Sequence, residues 1–210
     1  MASWAELLSG AEPGEHMVQL YGGDDRLLTR NVSRYLAEGL RRGDGLVVIA
    51  TPEHTSAIAG HLVEEDSGAA IDAAVAGRLV LLDAVETLAR FLVDGRPDQA
   101  LFRSVVGEAI PAVRAQAATG SVRAFGEMVS LLWDAGRHQA AARLEELWND
   151  TLAESCCSLF CATASTSSTA PETPRSCGPL SFPTITSSRV PAPCSPAADR
   201  AAEFGRVASS

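Results

Sequence analysis

Apolar residues recur along this chain with two alternating periods. His16–Tyr21 (HMVQLY) is a short apolar run ending at Gly22-Gly23, the pattern of a strand. From Asp24 the spacing lengthens, and Leu27, Leu28, Val32, Tyr35, Leu36 and Leu40 fall on one helical stripe. Arg41, Arg42 and Gly43 then supply the cationic last turn and the glycine stop that suit a helix C-terminus. Gly45–Thr51 (GLVVIAT) is a continuous apolar run rich in β-branched residues, which predicts a strand buried on both faces. Thr51-Pro52-Glu53 offers an N-cap hydroxyl, a proline at the first helical position and an early acid, so a helix is expected to about Glu65.

Arg78–Asp83 reads as a third strand, and Ala84–Val93 as a helix with Val85, Leu88, Ala89 and Leu92 at helical spacing. Gly95–Asp98 is a turn. Residues 99–117 are expected to be helical with Leu101, Val105, Ala109 and Val113 on one face, kinked or ended by Pro111, which lacks a backbone donor. Ser121–Phe125 and Cys157–Ala162 complete five strands, with helices at Met128–Trp133 and Gln139–Leu152 around the break at Asp134–Arg137. Strands separated by helices of this length need crossovers, which predicts an α/β domain with a mainly parallel sheet.

Composition narrows the chemistry. All 17 basic residues are arginine. Without an amine the chain has no Schiff-base lysine, no GK[ST] phosphate loop and no SxxK acyl-transfer motif. The formal charge of -9 argues against nucleic-acid binding through phosphate contacts. No stretch approaches the ~20 apolar residues of a membrane span. The start MASWAELLSG lacks the cationic and apolar regions of a signal peptide, so a cytoplasmic protein without membrane contact is expected. No CxxC occurs among the five cysteines, which are expected to be reduced structural thiols. The composition breaks near Ala162, because residues 163–210 hold 7 of the 11 prolines. We therefore divide the chain into a domain over residues 1–162 and a low-complexity tail over 163–210. The tail is expected to be disordered, or to be the product of a shifted reading frame.

The segments HMVQLYGGDDRLL, GLRRGDGLVVIATPEH, GRLVLLDAVETL, RAFGEMVSLLWDAGRHQAAARLEELWN and SLFCA occur in this order. Together they resemble the MEDS domain (methanogen/methylotroph, DcmR sensory domain) over about residues 16–162. FGEMVSLLW and LEELWN are the most specific parts. The resemblance implies a RecA/KaiC-like three-layer α/β fold that has lost its Walker A loop. It also implies a bacterial sensory role, with small hydrocarbon-derived molecules as proposed ligands and histidine kinases or other signalling proteins as partners.

The residues at the first strand-to-helix turn agree with a lost phosphate loop. Asp24 and Asp25 stand at the helix N-terminus, where they would satisfy the free amides and repel an anion. In a parallel sheet, ligands bind at the carboxyl ends of strands. Tyr21, Asp24, Asp25, Thr51, His54, Asp83 and Glu127 all fall there. His54, in the first turn of a helix, is expected to have a lowered pKa and a neutral ring. Glu127 follows Phe125-Gly126, a glycine that permits close approach, and either holds a polar ligand group or caps the next helix. Asp83 reads as an N-cap. Trp133 either packs on Trp148 and Leu144 or lines an apolar pocket.

His16 lies at the other end of its strand and reads as a hydrogen-bonded structural residue. Glu145, Glu146, Asn149 and Asp150 read as a solvated face, with Asn149 able to bond a loop. His16, His54, Asp24 and Glu127 lack metal-ligand spacing, so no metal or cofactor is expected. No nucleophile arrangement is legible, and the clustered cysteines have no basic neighbour in sequence. The expected protein is therefore a non-catalytic sensory domain with a ligand site at Tyr21, Asp24, His54, Glu127 and Trp133. Two alternatives remain open: a ligand-independent interaction module regulating a histidine kinase or anti-sigma system, and a residual nucleotide-binding ATPase.

Overall fold

The computed structural model of the chain describes residues 4–21, 24–164 and 185–189. A short helix α1 (Trp4–Ser9) precedes strand β1 (Glu15–Tyr21) and helix α2 (Asp25–Arg42). Strand β2 (Gly45–Ala50), helix α3 (Pro52–Val75), strand β3 (Leu79–Asp83) and helix α4 (Ala84–Ala89) follow. A two-residue hairpin, β4 (Leu92–Val93) and β5 (Arg96–Pro97), leads to helix α5 (Gln99–Gln116) and strand β6 (Val122–Gly126). Helices α6 (Met128–Asp134) and α7 (His138–Glu154), strand β7 (Cys157–Ala164) and strand β8 (Ile185–Arg189) complete the described elements.

Six strands form one sheet in the order β3-β2-β6-β7-β1-β8. The first five run parallel, and β8 pairs antiparallel to β1. The fold is thus α/β with a mainly parallel sheet. Every residue of β2 is buried, as its unbroken apolar run requires. Alternation then divides the strand between two cores. Leu46, Val48 and Ala50 meet α2 and α3, while Val47 and Ile49 meet the α4–α7 side.

Several local expectations change on folding. Helix α3 does not stop at Glu65. Its backbone leaves helical geometry at Asp66 and resumes, because the Asp66 carboxylate accepts from Ala69 N at 2.9 Å and starts a new turn. Helix α4 ends at Ala89, not Val93, and Val85 is exposed. Asp94 and Gly95, both at positive φ, make the tight hairpin turn that follows. Helix α5 buries Phe102, Val106, Ile110 and Val113, a stripe one residue on from the expected one except at Val113. Pro111 neither ends nor breaks it. The ring lies on the exposed face, where water can take the carbonyl it leaves unpaired. Strand β7 runs two residues past Ala162, and Ile185–Arg189, inside the segment expected to be structureless, is a strand. The other tail residues of that expectation lie outside the described residues. Cys156 is disulfide-bonded, so reduced thiols are found at Cys157 and Cys161 but not there.

One buried cation ties the N-terminal segment to the sheet. Arg123 on β6 is 2% exposed. Its Nε donates to Asp44 Oδ2 at 3.0 Å, and its two terminal nitrogens donate to the carbonyls of Leu8, Tyr35, Ser9 and Ala11. All five guanidinium donors are therefore used. Thr119 donates to the other Asp44 oxygen at 2.6 Å, and the guanidinium carbon sits 5.1 Å from the Tyr35 ring centre. The charge is buried because it is fully paired.

Candidate functional site

The chain reverses direction across the sheet between β2 and β6. From β2 it crosses through α3 to β3 on one side, and from β6 through α6 and α7 to β7 on the other. Helix α3 packs on one face and α6 and α7 on the opposite face. Connections leaving two adjacent strands in opposite directions open a crevice at their carboxyl ends, the usual ligand position in such sheets.

His54 and Glu127 meet across this crevice. Thr51 caps α3, its hydroxyl facing His54 N at 3.5 Å, which puts the His54 ring just beyond the end of β2. Glu127 follows β6, and its own amide donates to Ile49 O at 3.1 Å, fixing it beside β2. Its carboxylate makes no cap bond to α6. Instead Glu127 Oε2 lies 2.8 Å from His54 Nδ1, with side chains 7% and 15% exposed. The capping reading of Glu127 is thereby replaced. The expected lowering of the His54 pKa is also reversed. The Glu127 hydrogen bond raises it above the ordinary value, outweighing burial, and the charges of Glu127, Asp25 and Glu53 add to the rise. Short-range carboxylates exceed the helix dipole.

The remaining expected residues divide. Asp25 Oδ1 stands 3.7 Å from His54 Nε2, so it borders the pair. Asp24 does not; its Oδ1 accepts from Leu27 N at 3.1 Å and caps α2. Asp83 caps α4 through Glu86 N at 2.8 Å, as expected. Tyr21 ends β1, which lies beyond β7 from β6. Trp133 packs neither on Trp148 nor in the core. It is 38% exposed and packs on His138 with ring centres 4.3 Å apart and planes tilted by 60°. Trp148 is buried edge-on against Phe102, and it is the Trp148 ring that closely approaches Gly126.

A second polar cluster escaped the sequence reading. His16, Glu145 and Cys161 bring one donor atom each to within 4.8 Å of one another. Asn149 bonds the His16 ring at 3.0 Å rather than a loop, and Glu145 turns towards the protein rather than to solvent. Burial raises the pKa of Glu145, and burial together with Glu145 raises that of Cys161. His16 and Cys161 lie far apart in sequence, so no spacing motif announces them. The parallel pairing of β1 with β7, which sets Val18 opposite Cys161, is what joins them. A cleft of about 280 Å³ lies at the opposite, amino-terminal end of the strands, lined by Pro13, Arg42, Asp44, Thr119, Ser121 and Ser158 among others. It sits over the buried Arg123–Asp44 pair.

Comparison with known proteins places the chain in a family. The profile described as MEDS: MEthanogen/methylotroph, DcmR Sensory domain matches residues 15–169. No curated protein and no solved structure matches it. The match covers most of the chain, which therefore belongs to the MEDS family, a family of sensory domains.

Proposed function

We propose that this MEDS-family chain senses a small organic molecule in the crevice between β2 and β6 and passes the signal to a partner protein. The observation that carries this reading is the His54–Glu127 contact of 2.8 Å, which spans the point where the chain changes direction. Glu127 accepts from Nδ1–H and so holds the ring with Nε2 directed away from it. Nε2 is 3.7 Å from Asp25, too far for a hydrogen bond. The Glu127 hydrogen bond favours the protonated ring, and in that form Nε2–H is the polar anchor for a ligand oxygen. The exposed Trp133 is assigned to its apolar side, which suits a small hydrocarbon derivative.

Asp24 occupies the Leu27 amide that a phosphate loop would leave free, which supports an organic ligand over a nucleotide. We further infer a RecA/KaiC-like architecture without the Walker A loop, a cytoplasmic location and no catalytic step. The partner we assign to the output is a signalling protein such as a histidine kinase.

Thermal-shift screening of the full chain against small alcohols, ketones and halogenated hydrocarbons tests the reading. At least one compound class should raise the melting midpoint, and His54→Ala or Glu127→Gln should abolish the rise. A blank panel, or a rise that survives both substitutions, would count against it.

A further inference from the structure

The His16 cluster lies apart from the His54–Glu127 crevice, on the α7 side of the sheet. Val18, two residues along β1 from His16, and Leu159 and Cys161 of β7 all face the α4–α7 core. Helix α7 covers this face and contributes Glu145 and Asn149, one turn apart. The cluster is thus built from three elements that the fold holds rigidly.

His16 is 4% exposed, and its Nε2 is buried without a hydrogen-bond partner. Glu145 Oε2 is 3.3 Å away but not aligned for a hydrogen bond. The other ring nitrogen is fixed. Asn149 Oδ1, which can only accept, lies 3.0 Å from Nδ1, so Nδ1 carries the proton. In the neutral ring, Nε2 then presents its lone pair towards a carboxylate oxygen and a thiol sulfur, three donor atoms that converge on one point and need a metal ion or a proton between them. A histidine held by an amide oxygen at one nitrogen, with the other free, is how a metal-binding imidazole is oriented.

We propose that His16 Nε2, Glu145 Oε2 and Cys161 Sγ bind a thiophilic divalent transition-metal ion of the zinc class. The donor set is mixed nitrogen, oxygen and sulfur, which suits Zn²⁺ and disfavours Mg²⁺ or Ca²⁺. A carboxylate and a thiolate neutralise the ion's two charges, so the occupied cluster is neutral in its buried setting. Tetrahedral coordination sets donors about 3.4–3.7 Å apart at ordinary zinc bond lengths. The cluster's span of 4.8 Å at most therefore has to close by only about 1 Å on binding. Three protein donors leave the fourth position to water or a small ligand. Glu145, the most exposed of the three at 27%, gives the side of entry. Binding releases the thiol proton to solvent, with no change in oxidation state.

The test uses the full chain, stripped with a chelator and titrated with Zn²⁺ against a chromophoric competitor, with Co²⁺ as a spectroscopic probe. One ion per chain is expected, with a thiolate-to-cobalt charge-transfer band. Cys161→Ser should remove the band. Glu145→Gln, a substitution at a partly exposed position, should weaken zinc binding at least about 10-fold, and Asn149→Ala about 10–100-fold through loss of the imidazole's orientation. The Glu145→Gln and Asn149→Ala results decide the matter even if Cys161→Ser fails to fold. No stoichiometric uptake, or uptake unchanged in Glu145→Gln and Asn149→Ala, overturns the proposal and leaves an imidazolium–carboxylate pair. Ligand binding at His54 is unaffected by either outcome.

Discussion

Two basic side chains, Arg123 on β6 and His54 just beyond β2, illustrate opposite uses of charge. Arg123 is a structural cation. Removing one partner of a buried, hydrogen-bonded ion pair leaves the other unpaired, so Arg123→Met should destabilise the chain by about 3–5 kcal/mol in chemical denaturation. Arg123→Lys should also lose stability, because an ammonium has at most three donors for five acceptors and cannot stack on Tyr35. A loss under ~1 kcal/mol for both would contradict the packing described. His54, by contrast, is poised to titrate. Its folded pKa is raised above the ordinary 6.5, so the stability it contributes is complete below about pH 6.5. That contribution is lost as pH rises through the folded value. The gap in melting midpoint between the native chain and His54→Gln should therefore be widest at acid pH and narrow as pH rises through the folded midpoint. In NMR titration Glu127→Gln should return the His54 midpoint towards 6.5, since Glu127 supplies the largest cause of the rise.

Elements ended where capping chemistry was strong and drifted where only periodicity spoke. Helix α2 starts and stops at the residues its sequence marks, because Asp24 accepts the Leu27 amide and Gly43 takes φ 82° to close the last turn. There Asp44 N donates to Gly39 O at 2.9 Å and Gly43 N to Leu40 O at 3.1 Å. Gly43→Ala should cost about 1–2 kcal/mol from the left-handed backbone alone. A methyl group at that position also meets Ala118 Cβ at 3.0 Å, whereas at Gly120, with φ 68°, it meets nothing. Gly43→Ala should therefore destabilise more than Gly120→Ala, and equal denaturation midpoints for the two would remove the Ala118 contribution. Helix α5 was legible as a helix but not in its facing. Leu101 and Val105 fit the stripe as well as Phe102 and Val106 do, and only the aromatic packing of Phe102 on Phe91 and Trp148 decides between them. The α3 kink was half legible: the first helix does break near Glu65, but Asp66 both ends it and caps its continuation.

At the scale of the whole molecule, strand order decides which residues form sites. The strands and their parallel sense could be read from alternation, and so could the residues at their carboxyl ends. Which ends adjoin could not, since that depends on β6 inserting between β2 and β7. That insertion brings Glu127 to His54, and the β1–β7 pairing brings His16 to Cys161. The same strand order makes β1 an interior strand only through β8. Register pairs run from Glu15–Arg189 to Gln19–Ile185, and the Arg189–Glu12 ion pair at 2.8 Å adds a surface tie. A chain ending after Ala164 would leave the amides and carbonyls along that edge of β1 unpaired. Hydrogen exchange should then speed up at Met17–Gln19, where the paired edge is lost, while Val47–Ile49 in β2 keep their protection. The exposed edge should also promote self-association, visible by sedimentation as a concentration-dependent increase in mass. Unchanged exchange across β1 in the shortened chain would mean that β8 contributes nothing to holding that edge in solution, and the His16 cluster on the adjoining face would then rest on β7 and α7 alone.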